Sequence, residues 1–174
     1  MDDNKLRNVV FVMIGAPGSG KSTYAKKLRG ANSAVYISRD EIRFSLMNEG
    51  DAFFSNEHQV YQEFTYEILK AISENKNVII DATHLTKKSR QKLFNAIHID
   101  KNKTSVAAFY MDTPLDICIK RNETRKGTKT YVPPAELRRM FFRLEPPSYQ
   151  EYNQIFDMIY QVFYTGAVKK LERR

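Results

Sequence analysis

Cysteine is nearly absent from this chain. Its single copy, Cys118, cannot close an internal disulfide, so nothing calls for an oxidising compartment and a cytoplasmic setting is expected. Cys118 lies among apolar residues on an expected helix and reads as core packing. Long apolar runs are missing as well: none nears the ~20 residues of a bilayer-spanning helix. The opening residues Met1-Asp2-Asp3-Asn4-Lys5 are polar and mixed in charge, and the run 9–14 is too short for a signal-peptide core, which argues against secretion. There are no internal repeats, no low-complexity tract and no second-domain linker. A single domain, 1–174, is therefore expected, and one of that size buries roughly 70% of its unfolded surface. Acidic side chains are in deficit, 20 against 28 lysines and arginines, for a net charge of +8. That excess attracts polyanions in a salt-dependent way. It does not by itself single out nucleic acid, because part of it lies in the tail Lys169-Lys170-Leu171-Glu172-Arg173-Arg174, which reads as a solvated helix end.

Against these absences stands one dense feature. Gly15-Ala16-Pro17-Gly18-Ser19-Gly20-Lys21-Ser22-Thr23 fills every fixed position of the Walker A phosphate-binding loop, G-x-x-x-x-G-K-[ST]. The apolar run Val9-Val10-Phe11-Val12-Met13-Ile14 leads into it and Tyr24-Ala25-Lys26-Lys27-Leu28 continues as a helix, so strand, loop and helix occur in the required order. Glycines let the backbone curl around an anion with its N–H groups pointing inward, and the following helix adds the positive end of its dipole. Lys21 would reach the β- and γ-phosphates of ATP or another NTP, and Ser22 would ligate Mg2+.

Further apolar runs, 34–38, 78–81, 105–111 and 155–160, alternate with helical segments. Together with 9–14 they predict an α/β chain: a parallel sheet of about five strands with helices on both faces, the P-loop NTPase arrangement. The segment 57–73 carries Val60, Phe64, Ile68, Leu69 and Ile72 at helical spacing, and 85–99 reads as the helix after the third strand. Asn48-Glu49-Gly50-Asp51 breaks a helix and is the best candidate for a mobile loop. From Lys120 to Pro134 the chain is strongly basic around Gly127, and a helical basic lid is expected over about 121–134.

In an open parallel sheet, ligands gather at the carboxyl ends of the strands. Residues following each expected strand therefore share a crevice: the P-loop; then Ser38, Arg39, Asp40 and Arg43; then Asp81, Thr83 and His84; then Asp112 and the lid. Asp40 could accept a hydroxyl proton while Arg43, one turn on, neutralises an anion on the acceptor. Alternatively, Ser38 and Glu41 form a capping box and Asp40 favours a helix N-terminus. Asp81 closes the apolar strand Asn77-Val78-Ile79-Ile80-Asp81, the Walker B pattern of a magnesium contact, or it caps the next turn. His84 either contacts substrate or is packed. Arg121 and Arg125, four apart, would face the same way on a helix, either around the phosphates or as a solvated basic face.

Four segments together resemble the kinase domain of the phage-type polynucleotide 5′-kinases and their P-loop relatives. They are the loop 15–23; Ser38-Arg39-Asp40-Glu41-Ile42-Arg43; Asp81-Ala82-Thr83-His84-Leu85; and Arg121-Asn122-Glu123-Thr124-Arg125 with Gly127-Thr128-Lys129 and Val132-Pro133. The resemblance implies that Asp40 is the general base and that Arg43 contacts the nucleic-acid phosphate next to the reacting end. It implies that Arg125 holds the donor phosphates, that Arg121 opens the lid motif and that Asp81 lies near the phosphates and Ser22. His84 departs from the asparagine frequent in such kinases, and the lid is slightly longer between Gly127 and Pro133. No 3′-phosphatase domain follows, so 5′-kinase activity without end-healing phosphatase activity is expected. Glu145-Pro146-Pro147 with Tyr149 and Glu151 resembles a segment of several of these kinases. The leading expectation is ATP-dependent phosphoryl transfer to the 5′-hydroxyl end of DNA or RNA. The rivals are a kinase for a small hydroxylated metabolite or nucleotide-linked sugar, and a nucleotide-dependent switch that hydrolyses ATP slowly.

Overall fold

Five apolar, largely β-branched segments and one short basic segment pair into one sheet in the computed structural model, which describes residues 7–52 and 55–173. They are β1 (Asn8–Ile14), β2 (Val35–Ser38), β3 (Val78–Asp81), β4 (Thr104–Asp112), β5 (Met158–Phe163) and β6 (Val168–Lys170), in the order β2-β3-β1-β4-β5-β6. The first five run parallel, with Val12 opposite both Ile80 and Ala108, and β6 returns antiparallel on β5. The helices are α1 (Lys21–Asn32), α2 (Arg39–Leu46), α3 (Glu57–Ser73), α4 (Lys87–Ile97), α5 (Leu115–Glu123) and α6 (Pro134–Phe142).

Alternation along the strands separates two cores. Val10, Val12 and Ile14 pack with Phe64 and Ile68 of α3 and with Leu93, Phe94 and Ile97 of α4. Phe11, Met13 and Ile79 point the other way, to Ala25 of α1 and Phe109. A parallel sheet covered on both faces follows, and it places the ends of β1 to β4 side by side.

Three expectations need correction. The sheet has six strands and is mixed, and the tail forms its edge in place of a helix end. Gly166, at φ +93°, lets the chain reverse, and Phe163 N–H donates to the Ala167 carbonyl at 2.9 Å. The fifth strand begins at Met158, later than its apolar composition suggests. Ile155 and Phe156 are buried in the core without pairing, and the Asp157 carboxylate accepts from Val106 N at 2.8 Å and Lys101 Nζ at 2.5 Å. The helix expected over 85–99 is shorter, because Thr86 and Ser89 form a capping box at its start and His98 leaves it at φ +41°. Asn48 to Asp51 forms a turn, with Asn48 N donating to the Asp51 carboxylate at 2.8 Å. The opening Met1–Lys5 stretch and Arg174 of the tail lie outside the described residues.

Candidate active site

Between β1 and α1 the chain must wrap tightly, and Gly18 (φ +78°) and Gly20 (φ +100°) supply left-handed conformations that side-chain-bearing residues adopt at a cost. Lys21 follows as the first helical residue, buried, with Nζ donating to the Ala16 carbonyl at 2.9 Å. Burial pulls its ammonium below the ordinary lysine value; Asp81 and then Asp40 oppose that pull, and Arg125 adds to it. Lys21 after β1, Asp40 after β2, Asp81 at the end of β3 and Arg125 beyond α5 therefore share one electrostatic neighbourhood. Ser19 Oγ is buried with no hydrogen-bond partner among the described residues. A buried cation without a carboxylate in contact, beside an unpaired hydroxyl, fits an incoming anion.

The loop is braced from behind by the connection after β4. Thr113 Oγ1 donates to the Ser19 carbonyl at 2.9 Å, and Arg121 Nη1 donates to the same oxygen at 3.3 Å. The Cys118 carbonyl lies so close to Gly18 that a Cβ there would collide with it. Cys118 is core, as expected, with its thiol pushed up by burial. Its backbone role, and Thr113, carry no short-range sequence signal.

On the far side of the crevice, Ser38 caps α2, accepting from Glu41 N at 3.3 Å. Asp40 has a side chain 62% exposed, while the Arg43 side chain beside it is 6% exposed and pairs with it. Arg43 Nη2 also meets Glu57 Oε1 at 2.6 Å, and the other oxygen of Glu57 takes Arg39 Nη2 at 2.7 Å. Glu57, at the start of α3, thus staples two arginines in place. Its carboxylate is the residue the sequence reading missed here, because the pairing spans 14 positions.

Asp81 is buried at the end of β3 and accepts from Tyr36 Oη at 2.6 Å, which together with burial drives the phenol's pKa upward. Its second oxygen carries no hydrogen bond from the described residues. The next turn is clipped to β1: Gly15 N donates to the Thr83 carbonyl at 3.1 Å, and His84 Nδ1 lies 3.0 Å from the Met13 carbonyl. A carbonyl only accepts, so Nδ1 carries the proton. Burial lowers the His84 pKa from 6.5 to about 4, keeping the ring neutral. His84, expected beside the acceptor, is therefore turned inward at φ +45° and works as a clip, while Thr83 stays partly exposed next to it.

That turn rests on Arg90, 1% exposed, which forms a two-pronged pair with Glu151 (2.8 and 2.7 Å) and donates to the carbonyls of His84 at 2.8 Å and Glu145 at 3.0 Å. The Glu145-to-Glu151 segment, without a role at the level of sequence, is thereby tied under the crevice.

The segment 121–134 is less helical than expected. Helix α5 ends at Glu123 and successive turns follow, from Arg125 N to the Asn122 carbonyl and from Thr128 N to the Arg125 carbonyl. Asn122 is buried and brackets Val132 from both sides, donating at 2.7 Å and accepting at 3.1 Å. Arg125 thus lies past the helix end, yet within range of Lys21.

Ser22 and Thr23 are exposed on the first turn of α1, which contains no acidic residue. No cluster of three or more histidine, cysteine or acidic side chains suited to a metal occurs among the described residues. The donor set is instead one hydroxyl, Ser22, and one carboxylate, Asp81. Both are hard oxygens, of the kind that hold Mg2+ when phosphates and waters complete its shell. Among the described residues no helix is long and apolar enough to cross a membrane.

The model of a family described as AAA domain (AAA_33) matches residues 10–147. A protein of Autographa californica nuclear polyhedrosis virus, named as a bifunctional polynucleotide kinase/RNA ligase, is 31% identical over an alignment of 129 residues that covers 67% of this chain and 18% of that protein. A chain of the Pnkp1/Rnl/Hen1 RNA repair complex superposes with a TM-score of 0.70 at 23% identity, covering 83% of this chain and 46% of that one. A sugar kinase from Janibacter sp. HTCC2649 superposes with a TM-score of 0.63 at 18% identity, covering 90% and 85%. The chain thus spans less than half of the first two proteins. The fold is that of the P-loop NTPases, and the loop after β1 is its nucleotide-binding loop.

Proposed function

The chain belongs to the AAA domain family, and on that premise we propose that it transfers the γ-phosphoryl group of ATP to the 5′-hydroxyl end of a polynucleotide. The observation that supports this reading is that the charges of Asp81, Asp40 and Arg125 all act on the buried Lys21. A nucleotide switch has no use for an exposed carboxylate on the acceptor side. The viral relative's name supports a polynucleotide as the acceptor.

Backbone N–H groups of 15–23 cradle the phosphates, and Lys21, relieved of its unfavourable burial by their charge, neutralises the β- and γ-oxygens. Arg121 and Arg125 hold the donor from the other side. Ser22 and Asp81 would hold Mg2+, which when bound neutralises phosphate charge. Arg43, fixed by Glu57, together with Thr83, orients the acceptor phosphate nearest the reacting end. Asp40 takes the proton of the 5′-hydroxyl as its oxygen bonds to the γ-phosphorus, and ADP departs with the electrons of the broken P–O bond. His84 keeps the Thr83 turn in place. We further propose that 1–174 acts as one domain, with 121–134 as the lid.

The test supplies γ-labelled ATP together with 5′-hydroxyl DNA and RNA oligonucleotides and a panel of sugars and nucleosides. Label is expected on oligonucleotide 5′ ends. Label confined to metabolites would instead establish a small-molecule kinase, and label released only as inorganic phosphate would establish a switch.

A further inference from the structure

Beside the Asp40 side of the crevice runs a groove of about 240 Å³, of whose lining the proposed reaction uses only the Thr83–His84 turn. Its walls come from four places: Arg39 after β2, Tyr61 on α3, Thr83 to Thr86 with Lys92 of α4, and Met140 and Arg143 of α6 and its end. Arg39 and Thr83 belong to both this groove and the Asp40 side of the crevice, so the two are continuous.

The cations in this groove are poised for an anion. Lys92 Nζ sits 4.4 Å from the centre of the Tyr61 ring, and the Arg39 guanidinium lies 5.6 Å from the same centre. Such contacts hold a cation in place without neutralising it, as for Lys92; Arg39 is also paired through Nη2 with Glu57, which leaves its Nε side for a ligand. Tyr61 is itself fixed, since its hydroxyl donates to the Lys92 carbonyl at 3.1 Å. Neither Lys92 nor Arg143 forms an ion pair among the described residues, and Arg39 Nε is buried without a partner there. The first turn of α4, whose capping residues Thr86 and Ser89 line the groove, contains no acidic residue, so its N–H groups add positive potential. The acid in the lining, Glu136, is already paired with Arg139. A closed pocket for a neutral metabolite has no use for this arrangement, whereas a chain of phosphodiesters has.

We propose that this groove binds the backbone of a single nucleic-acid strand downstream of its 5′ nucleotide, with Lys92, Arg143 and Arg39 on successive phosphates and Tyr61 as the platform that holds two of them. This rests on the polynucleotide reading above and assigns that strand its path away from Asp40.

The experiment measures binding of 3′-fluorescent ribo- and deoxyribo-hexanucleotides by anisotropy across a salt series, on the full chain. For Lys92→Ala combined with Arg143→Ala, affinity should fall at least tenfold, and the salt slope of log K should shrink by roughly 1.4, about 0.7 per lost phosphate contact on a single strand. Replacing the exposed Lys26 and Lys27 of α1 by alanine serves as the charge-matched control and should leave the slope unchanged. Tyr61→Ala should weaken binding, and Tyr61→Phe, which keeps the ring, should restore most of it. Equal losses in the groove and control variants, or an unchanged slope in the groove variant, would overturn the assignment. Binding is read without turnover, so a wild-type chain that bound hexamers through these residues but labelled no 5′ end would sink the kinase reading while leaving the groove intact.

Discussion

The proposed donor half of the crevice and its proposed acceptor half are built by different means. On the donor side, the phosphate loop takes its shape from its own glycines and is braced by hydrogen bonds to one carbonyl, that of Ser19. On the acceptor side, position is set by charge pairs between elements: Arg43 and Arg39 on Glu57, and Arg90 on Glu151 below. Backbone geometry of the first kind is local, insensitive to salt and tolerant of change elsewhere. The second kind depends on distant partners and on their ionisation. A donor site that serves one invariant triphosphate gains from the former, and an acceptor site that varies among kinases is easier to retune through the latter.

The comparison can be broken first on the donor side. Arg125→Ala should reduce kcat by roughly 10³–10⁵ if this guanidinium stabilises the transferring phosphoryl group; single-turnover transfer measures it. Asp40→Asn should lower kcat by roughly 10²–10⁴ with ATP affinity retained, the signature of a lost base on the acceptor side alone; steady-state kinetics with separate ATP titration reads both. Glu151→Ala leaves Arg90 charged and buried, so stability should fall by about 3–5 kcal/mol, seen as a lower urea midpoint. The smallest effect is protonic. His84 titrates near 4 in the folded chain and near 6.5 when unfolded, so the unfolded chain binds the proton first. Its contribution is complete above pH 6.5 and is lost as pH falls toward 4, by about 3 kcal/mol in all. Urea midpoints between pH 7 and 4.5 should show this slope, and it should flatten in His84→Asn; an unchanged slope would dismiss the buried imidazole as its source.

What was legible in the sequence follows the same division. The loop 15–23, β3 ending in Asp81, and α3 with its inward Val60, Phe64 and Ile68 could be read because their signals are contiguous or periodic. Glu57, Tyr36, Thr113 and the Arg90–Glu151 pair could not, since each acts across 14 to 94 positions through a contact only the folded sheet creates. Helical spacing suggested one continuous face for Arg121 and Arg125; the turns pinned by Asn122 replace it. The tail misled because a basic run with few apolar residues resembles a solvated helix end, and only the reversal at Gly166 lays its start along β5.

The short returning strand at the sheet's margin also bears on how copies of this molecule meet. An open margin of unpaired backbone invites a neighbouring chain to add on. Here that margin is brief and presents Val168, Lys169 and Lys170, all exposed. Two like charges would have to be desolvated against their counterparts before any second molecule could extend the ladder, so the fold carries its own safeguard against edge-to-edge aggregation at the end of the sheet farthest from the loop after β1.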